Sequence, residues 1–163
     1  MKRIPLTQDY EVIVGNQDFA YLSQWKWHAH PHGQTVYAQT NLPNGDGTFR
    51  TCRMHRMIMK ATESQKVDHR DGNGLNNVRS NLRFTTFAGN QRNKGMSSNN
   101  KSGFKGVSWN KHQQQWVAQI TAGGNPKHLG YFDDPRVAAL TYDAAAVELH
   151  GEFAKTNEMM GLL

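Results

Sequence analysis

The chain of 163 residues has one cysteine, Cys52, only five prolines, and no run near the roughly 18 apolar residues that a membrane span requires. A lone thiol excludes an internal disulfide and a cysteine-rich zinc cluster, so any metal must draw on His, Asp, Glu or Asn. Met1-Lys2-Arg3-Ile4-Pro5 is not followed by the apolar stretch of a secretion signal, and the expected compartment is a cytosol. Hydrophobic residues are 37% of the total and the mean hydropathy is -0.75, which argues for two small cores over one thick one. Acids are scarce as well. Thirteen Asp and Glu against 19 Lys and Arg leave +6 and a pI near 9.6, the balance of a protein with a polyanionic partner rather than a membrane or a small-molecule substrate.

That charge is uneven. Residues 1–100 carry thirteen basic and seven acidic side chains, whereas residues 101–163 carry six of each. Within the second part Lys101, Lys105, Lys111 and Lys127 precede every acid, and Asp133, Asp134, Asp143, Glu148, Glu152 and Glu158 follow, so a basic sheet side and an acidic helix side are expected. The stretch Lys94 to Ser102 has almost nothing to bury and reads as a linker. The divisions are 1–93, 94–102 and 103–158.

Patterning places a strand at Tyr10 to Val14, a short helix at Asn16 to Gln24, and a hairpin of Thr35 to Thr40 with Thr48 to Arg53 around Asn44-Gly45-Asp46-Gly47. Met54 to Lys60 offers a helical turn or two. His28, His30 and His32 alternate, which on an extended segment aims all three one way. Pro31 interrupts that segment and no fourth ligand is near, so they read as solvent- or phosphate-facing rather than as a zinc site. After the linker, strands are expected at Phe104 to Trp109, Gln115 to Ala122 and His128 to Phe132. Asp134-Pro135 then opens the longest helix, with Val137, Ala138, Leu140, Thr141, Ala144, Ala145, Val147 and Leu149 as its apolar stripe.

The least generic segment is Val67-Asp68-His69-Arg70-Asp71-Gly72-Asn73, continued by Asn76-Asn77, Asn81-Leu82-Arg83 and Asn90-Gln91-Arg92-Asn93. Its order is strand, Asx-rich loop, strand and a short helix starting at Thr85 or Thr86. Asp68 and His69 are strand neighbours and point to opposite sides unless the strand ends there. A helix packed across the strand end would bring Asn90 toward Asp68. Carboxylate and amide oxygens are hard ligands for Mg²⁺ or Mn²⁺, and an adjacent imidazole can take a proton from water, which together suffice to hydrolyse a phosphodiester. Arg70, Arg83 and Arg92 surround this group as candidate phosphate clamps.

These residues resemble the HNH homing endonucleases of phage and intron origin, whose ββα-metal site has the same element order. The match runs from 66 to 93. The resemblance implies His69 as general base, Asp68 and Asn90 as ligands of one Mg²⁺ or Mn²⁺, and Asn81 as the middle Asn that braces the hairpin loop. Where many relatives have a second His, this chain has Asn90, the His-Asn-Asn variant. His55 and Arg56 resemble the amino-terminal part of such enzymes and are candidates to line DNA or support the site.

Residues 102–157 resemble the AP2 DNA-binding domain through Gly103-Phe104-Lys105-Gly106-Val107, Trp116-Val117-Ala118-Gln119-Ile120, Leu129-Gly130-Tyr131-Phe132 and Ala138-Ala139-Leu140-Thr141-Tyr142-Asp143-Ala144-Ala145-Ala146. The resemblance implies a three-stranded antiparallel sheet in the major groove backed by one helix, with Lys105, Ser108, Asn110, Gln119, Thr121 and His128 facing DNA. Lys111 and Lys127 add basic charge beside them. Where plant AP2 factors carry arginines this chain has Lys, Ser, Asn and Thr, which do not read guanine bidentately. The expected whole is an α+β protein, monomer or homodimer, that cuts double-stranded DNA. The alternatives are a non-catalytic DNA-binding regulator and a nuclease acting on RNA, the latter disfavoured because the deep, narrow major groove of A-form RNA does not admit such a sheet.

Overall fold

The computed structural model describes residues 1–33, 35–86, 89, 93, 95–97 and 99–163. It is an α+β protein in two compact units, Met1–Phe87 and Ala88–Leu163.

In the first unit β1 (Lys2–Pro5) and β2 (Glu11–Val14) form an antiparallel pair, followed by α1 (Asn16–Leu22). β3 (His28–His32), β4 (Thr35–Pro43) and β5 (Phe49–Arg53) form an antiparallel sheet with β4 central, and α2 (Met54–Ile58) leaves β5 directly. β6 (Lys66–His69) pairs with β8 (Leu82–Thr85), and between them the two-residue β7 (Asn76–Asn77) joins β2 in parallel. Pro31 does not interrupt β3. It sits in an edge strand, where its missing N–H costs no ladder bond. The core is Ile4, Val12, Val14, Leu22, Trp27, Ala38, Met54, Ile58 and Leu82, drawn from nearly every element of the unit.

The helix expected from Thr85 or Thr86 falls mostly on residues outside the described set. One bond within it is described, from Asn93 N–H to the Gly89 carbonyl at 3.2 Å, the spacing of a helical turn.

In the second unit β9 (Val107–Asn110), β10 (Gln115–Ala122) and β11 (Asn125–Phe132) form an antiparallel sheet with β10 in the middle. β11 starts three residues before the expected His128, because Gly123 and Gly124, with φ of 60° and 85°, make a two-residue hairpin turn that lets pairing begin at Asn125. Asp134 caps α3 (Pro135–His150), its carboxylate accepting from Arg136 N–H at 2.7 Å. The buried face of α3 matches the expected stripe only in part, since Ala138 is buried and Ala145 and Leu149 pack against the core. Ala138, Ala139, Tyr142 and Ala146 face the sheet, whereas Val137, Leu140 and Val147 are exposed. Small side chains let the helix lie close to β10, and the two core clusters, around Ala118 and around Ile120, form at that approach.

Candidate active site

The Asx-rich loop between β6 and β8 is built from its own side chains. Asp71 accepts from Asn73 N–H at 2.8 Å, Asn76 Nδ2 at 2.8 Å and Asn81 Nδ2 at 2.9 Å. Asn81 also accepts from Asp71 N–H at 3.1 Å and donates to the Asn76 carbonyl at 2.8 Å, so its amide ties both ends of the loop. Three parts of the N-terminal region then fix the loop from outside. β2 pairs with Asn76 and Asn77, Thr35 Oγ1 accepts from Gly74 N–H at 3.0 Å, and the buried Asp18 of α1 takes three hydrogen bonds from Arg79. A Cβ at Gly74 would overlap the Val36 carbonyl and the Tyr37 ring, which is why the loop closes on β4 only with glycine there.

His69 and Asp68 part company at the strand end. His69 is 4% exposed and lies among aromatic rings, with His55 at 4.9 Å and Tyr37 at 5.9 Å between centroids. Its Nε2 is 3.4 Å from Asn77 Oδ1, and Asn77 is oriented by donating to the Gly74 carbonyl at 3.0 Å. Burial lowers the His69 pKa, opposed by Asn77, Asp71 and Asp68, so its surroundings favour the uncharged ring. Burial, then His69, Arg53 and Arg56, push His55 down to about 3. Asp68 faces its cross-strand partner Arg83, whose Nε and Nη2 donate to Oδ2 at 3.2 and 3.0 Å. Arg83 is therefore part of a buried ion pair and does not reach out as a phosphate clamp.

Among the described residues no group of three or more His, Cys, Asp and Glu could hold a metal ion. The ligands expected from the sequence are the Asp68 carboxylate and an amide at Asn90, completed by oxygens of the substrate. Those donors fit Mg²⁺ or Mn²⁺, which keep open positions for phosphate and water, better than zinc. Asn90 and Arg92 lie outside the described residues. Arg70 is exposed beside the loop, its N–H bonded to the Asn81 carbonyl at 2.8 Å, and Arg56 donates to the carbonyls of Gln65 and Thr62, both at 2.7 Å. Tyr37 and Asn77 are neighbours of His69 to which the sequence assigned no role. Asn77 stands in the motif beside Asn76, but nothing in the local sequence marks Tyr37.

In the second unit, register and alternation put Ser108, Asn110, Gln119, Thr121 and His128 on the sheet face away from α3. The His128 ring lies 4.6 Å from that of Tyr131, also on that face. Lys111 is exposed in the turn after β9. Lys105 and Lys127 do not join them. Lys127 is opposite the core residue Ile120, and Lys105 is held by Asn157, its pKa lowered to about 8 by burial and by Lys155, against the pull of Asp143.

No family model matches the chain. It is 38% identical over 112 residues to Protein 3.8 of Escherichia phage T7, covering 66% of this chain and 92% of that one. It is 31% identical over 151 residues to an uncharacterized HNH endonuclease of Acanthamoeba polyphaga mimivirus, covering 89% of this chain and 78% of that one. Over 56 residues, 33% of this chain, it is 38% identical to an ethylene-responsive transcription factor of Arabidopsis thaliana, of which they span 30%.

Proposed function

Because the chain belongs to the HNH endonucleases, we propose that it is a divalent-metal-dependent DNA endonuclease of the homing type, with residues 103–158 acting as an AP2-like module that helps select the site. The observation that carries the reading is His69, an imidazole fixed by Asn77, Tyr37 and His55 beside a loop locked by Asn81. His69 takes a proton from water, the resulting hydroxide adds to phosphorus, and the bond from phosphorus to one sugar oxygen breaks. Lewis-acid stabilisation of that departing oxygen is what a bound Mg²⁺ or Mn²⁺ supplies, with Asp68 and Asn90 as its ligands. Asn81 keeps the loop rigid, and Arg70 and Arg92 bind flanking phosphates. Ser108, Asn110, Lys111, Gln119, Thr121 and His128 contact the duplex through the second sheet. Linking two weak binding parts makes the second contact intramolecular, so modest base contacts can direct an unselective nuclease.

The test is incubation of purified protein with supercoiled plasmid in Mg²⁺, in Mn²⁺ and in EDTA, beside His69→Ala, Asp68→Asn and Asn90→Ala. Strand breakage should vanish with EDTA, fall at least about a hundredfold in His69→Ala, the low end of what a general base contributes, and fall in Asp68→Asn and Asn90→Ala through loss of the metal. One observation favours a second reading, a DNA-binding regulator with a decayed nuclease scaffold: Asp68 is already engaged by Arg83. Tight EDTA-insensitive binding with no breakage by the folded wild type would select it.

A further inference from the structure

The β3–β4–β5 sheet has one face in the core and one outside. Inside are Ala29, Ala38 and Thr40, all buried. Outside, register puts His28 opposite Gln39, His30 opposite Tyr37 and His32 opposite Thr35, then Gln39 opposite Arg53 and Asn41 opposite Thr51. Every one of these side chains is exposed or half-buried. All can form hydrogen bonds, and Phe49, 69% exposed, ends the row on β5. The three strands contain no Asp or Glu in a chain that has 13. The same face is continuous with His69, since the Tyr37 ring lies tilted against His55 and His69 while the Arg53 guanidinium lies 4.8 Å over its ring.

We propose that this outer face is a second seat for duplex DNA, one that lays the backbone across β3, β4 and β5 and leads it to His69. The proposal rests on the nuclease reading above and deepens it. A solvated polar face needs no carboxylate-free surface, but a phosphate-lined partner does, because each acid there would repel it. Arg53 gives one fixed positive charge, and the alternating imidazoles, Gln39, Asn41 and Thr51 give neutral hydrogen bonds of the kind that position a backbone. Adjacency to the base matters as much. A backbone held on this sheet has its scissile phosphate orientation set within the nuclease unit itself, whatever the second sheet binds.

The experiment uses the full chain in EDTA, with binding to a short random-sequence duplex read by fluorescence anisotropy across a salt series. Gln39→Glu with Thr51→Glu puts two carboxylates on the outer face, and Gln17→Glu with Gln24→Glu puts the same charge on exposed positions of α1 and the turn after it. The outer-face pair should weaken binding about tenfold or more and the control pair less than about threefold, with equal unfolding midpoints. Asn41→Lys, which a folding defect cannot mimic, should tighten binding and steepen the salt slope by about one. Equal effects from the two glutamate pairs, or no gain from Asn41→Lys, would overturn the proposal. Failure of the nuclease reading has a separate signature, no Mg²⁺-dependent breakage by a wild type that binds, and would leave this seat as a binding face.

Discussion

At the scale of single residues, the packing of His55 against His69 has a measurable cost in acid. His55 is 5% exposed, and its folded pKa of about 3 lies below the ordinary 6.5. Unfolded chains therefore take up a proton on this ring below pH 6.5 that the folded chain refuses. Stability is full above that pH and is lost as pH falls toward 3. Urea unfolding at pH 5 should give a free energy lower by roughly 2 kcal/mol than at pH 7, and His55→Phe should flatten the difference. Gly74 has the opposite kind of constraint, steric rather than electrostatic. Gly74→Ala must push the loop off β4 or displace Tyr37, and it should cost about 1–3 kcal/mol while lowering cleavage with it. Equal wild-type and variant midpoints in thermal unfolding would show that the loop has room to move. Glycine in an Asx-rich loop was legible as turn chemistry, but the reason for this one is a backbone 38 residues upstream, which no local pattern encodes.

Among the elements, hairpins were the most legible and helix faces the least. β6 and β8 stand where alternation and the Asx cluster put them, and β4 and β5 flank the Asn-Gly-Asp-Gly turn. α3 begins at Asp134-Pro135 as its cap predicts. Part of its buried face differs because the packing partner selects the residues that permit close approach, and alanine carries little hydropathy to announce that. The C-terminal segment adds a lock. Asn157, fully buried, donates to Asp143 Oδ1 from both its backbone N–H and its Nδ2, and brackets Lys105 by accepting from its N–H and donating to its carbonyl. Removing that amide leaves buried backbone groups unmatched. Asn157→Ala should lower hydrogen-exchange protection of β9 and β10 about thirtyfold, the equivalent of some 2 kcal/mol, and leave residues 1–86 unchanged.

For the whole molecule, two units with separate cores predict separable roles. Deleting residues 103–163 should leave the first unit folded, with residual Mg²⁺-dependent breakage and scattered cut sites on mapped plasmid. Circular dichroism of the truncated chain checks the fold, and complete loss of breakage from a folded remainder would mean the second unit does more than guide. The sequence by itself determined the local chemistry: basic charge, hairpins with their turn residues, the capped helix, and the Asp68, His69 and Asn81 cluster at its spacing. Those depend on neighbours within a few residues, where backbone preference and alternation act. Only the tertiary structure decided what meets His69. It brought His55 and Tyr37 to the imidazole, paired Asp68 with Arg83, set Asn77 beside β2, and turned one polar face of β3–β5 toward solvent. Each of these joins segments distant in the chain, and partners at that range are chosen by shape and burial summed over the whole unit, not by any residue's own propensity.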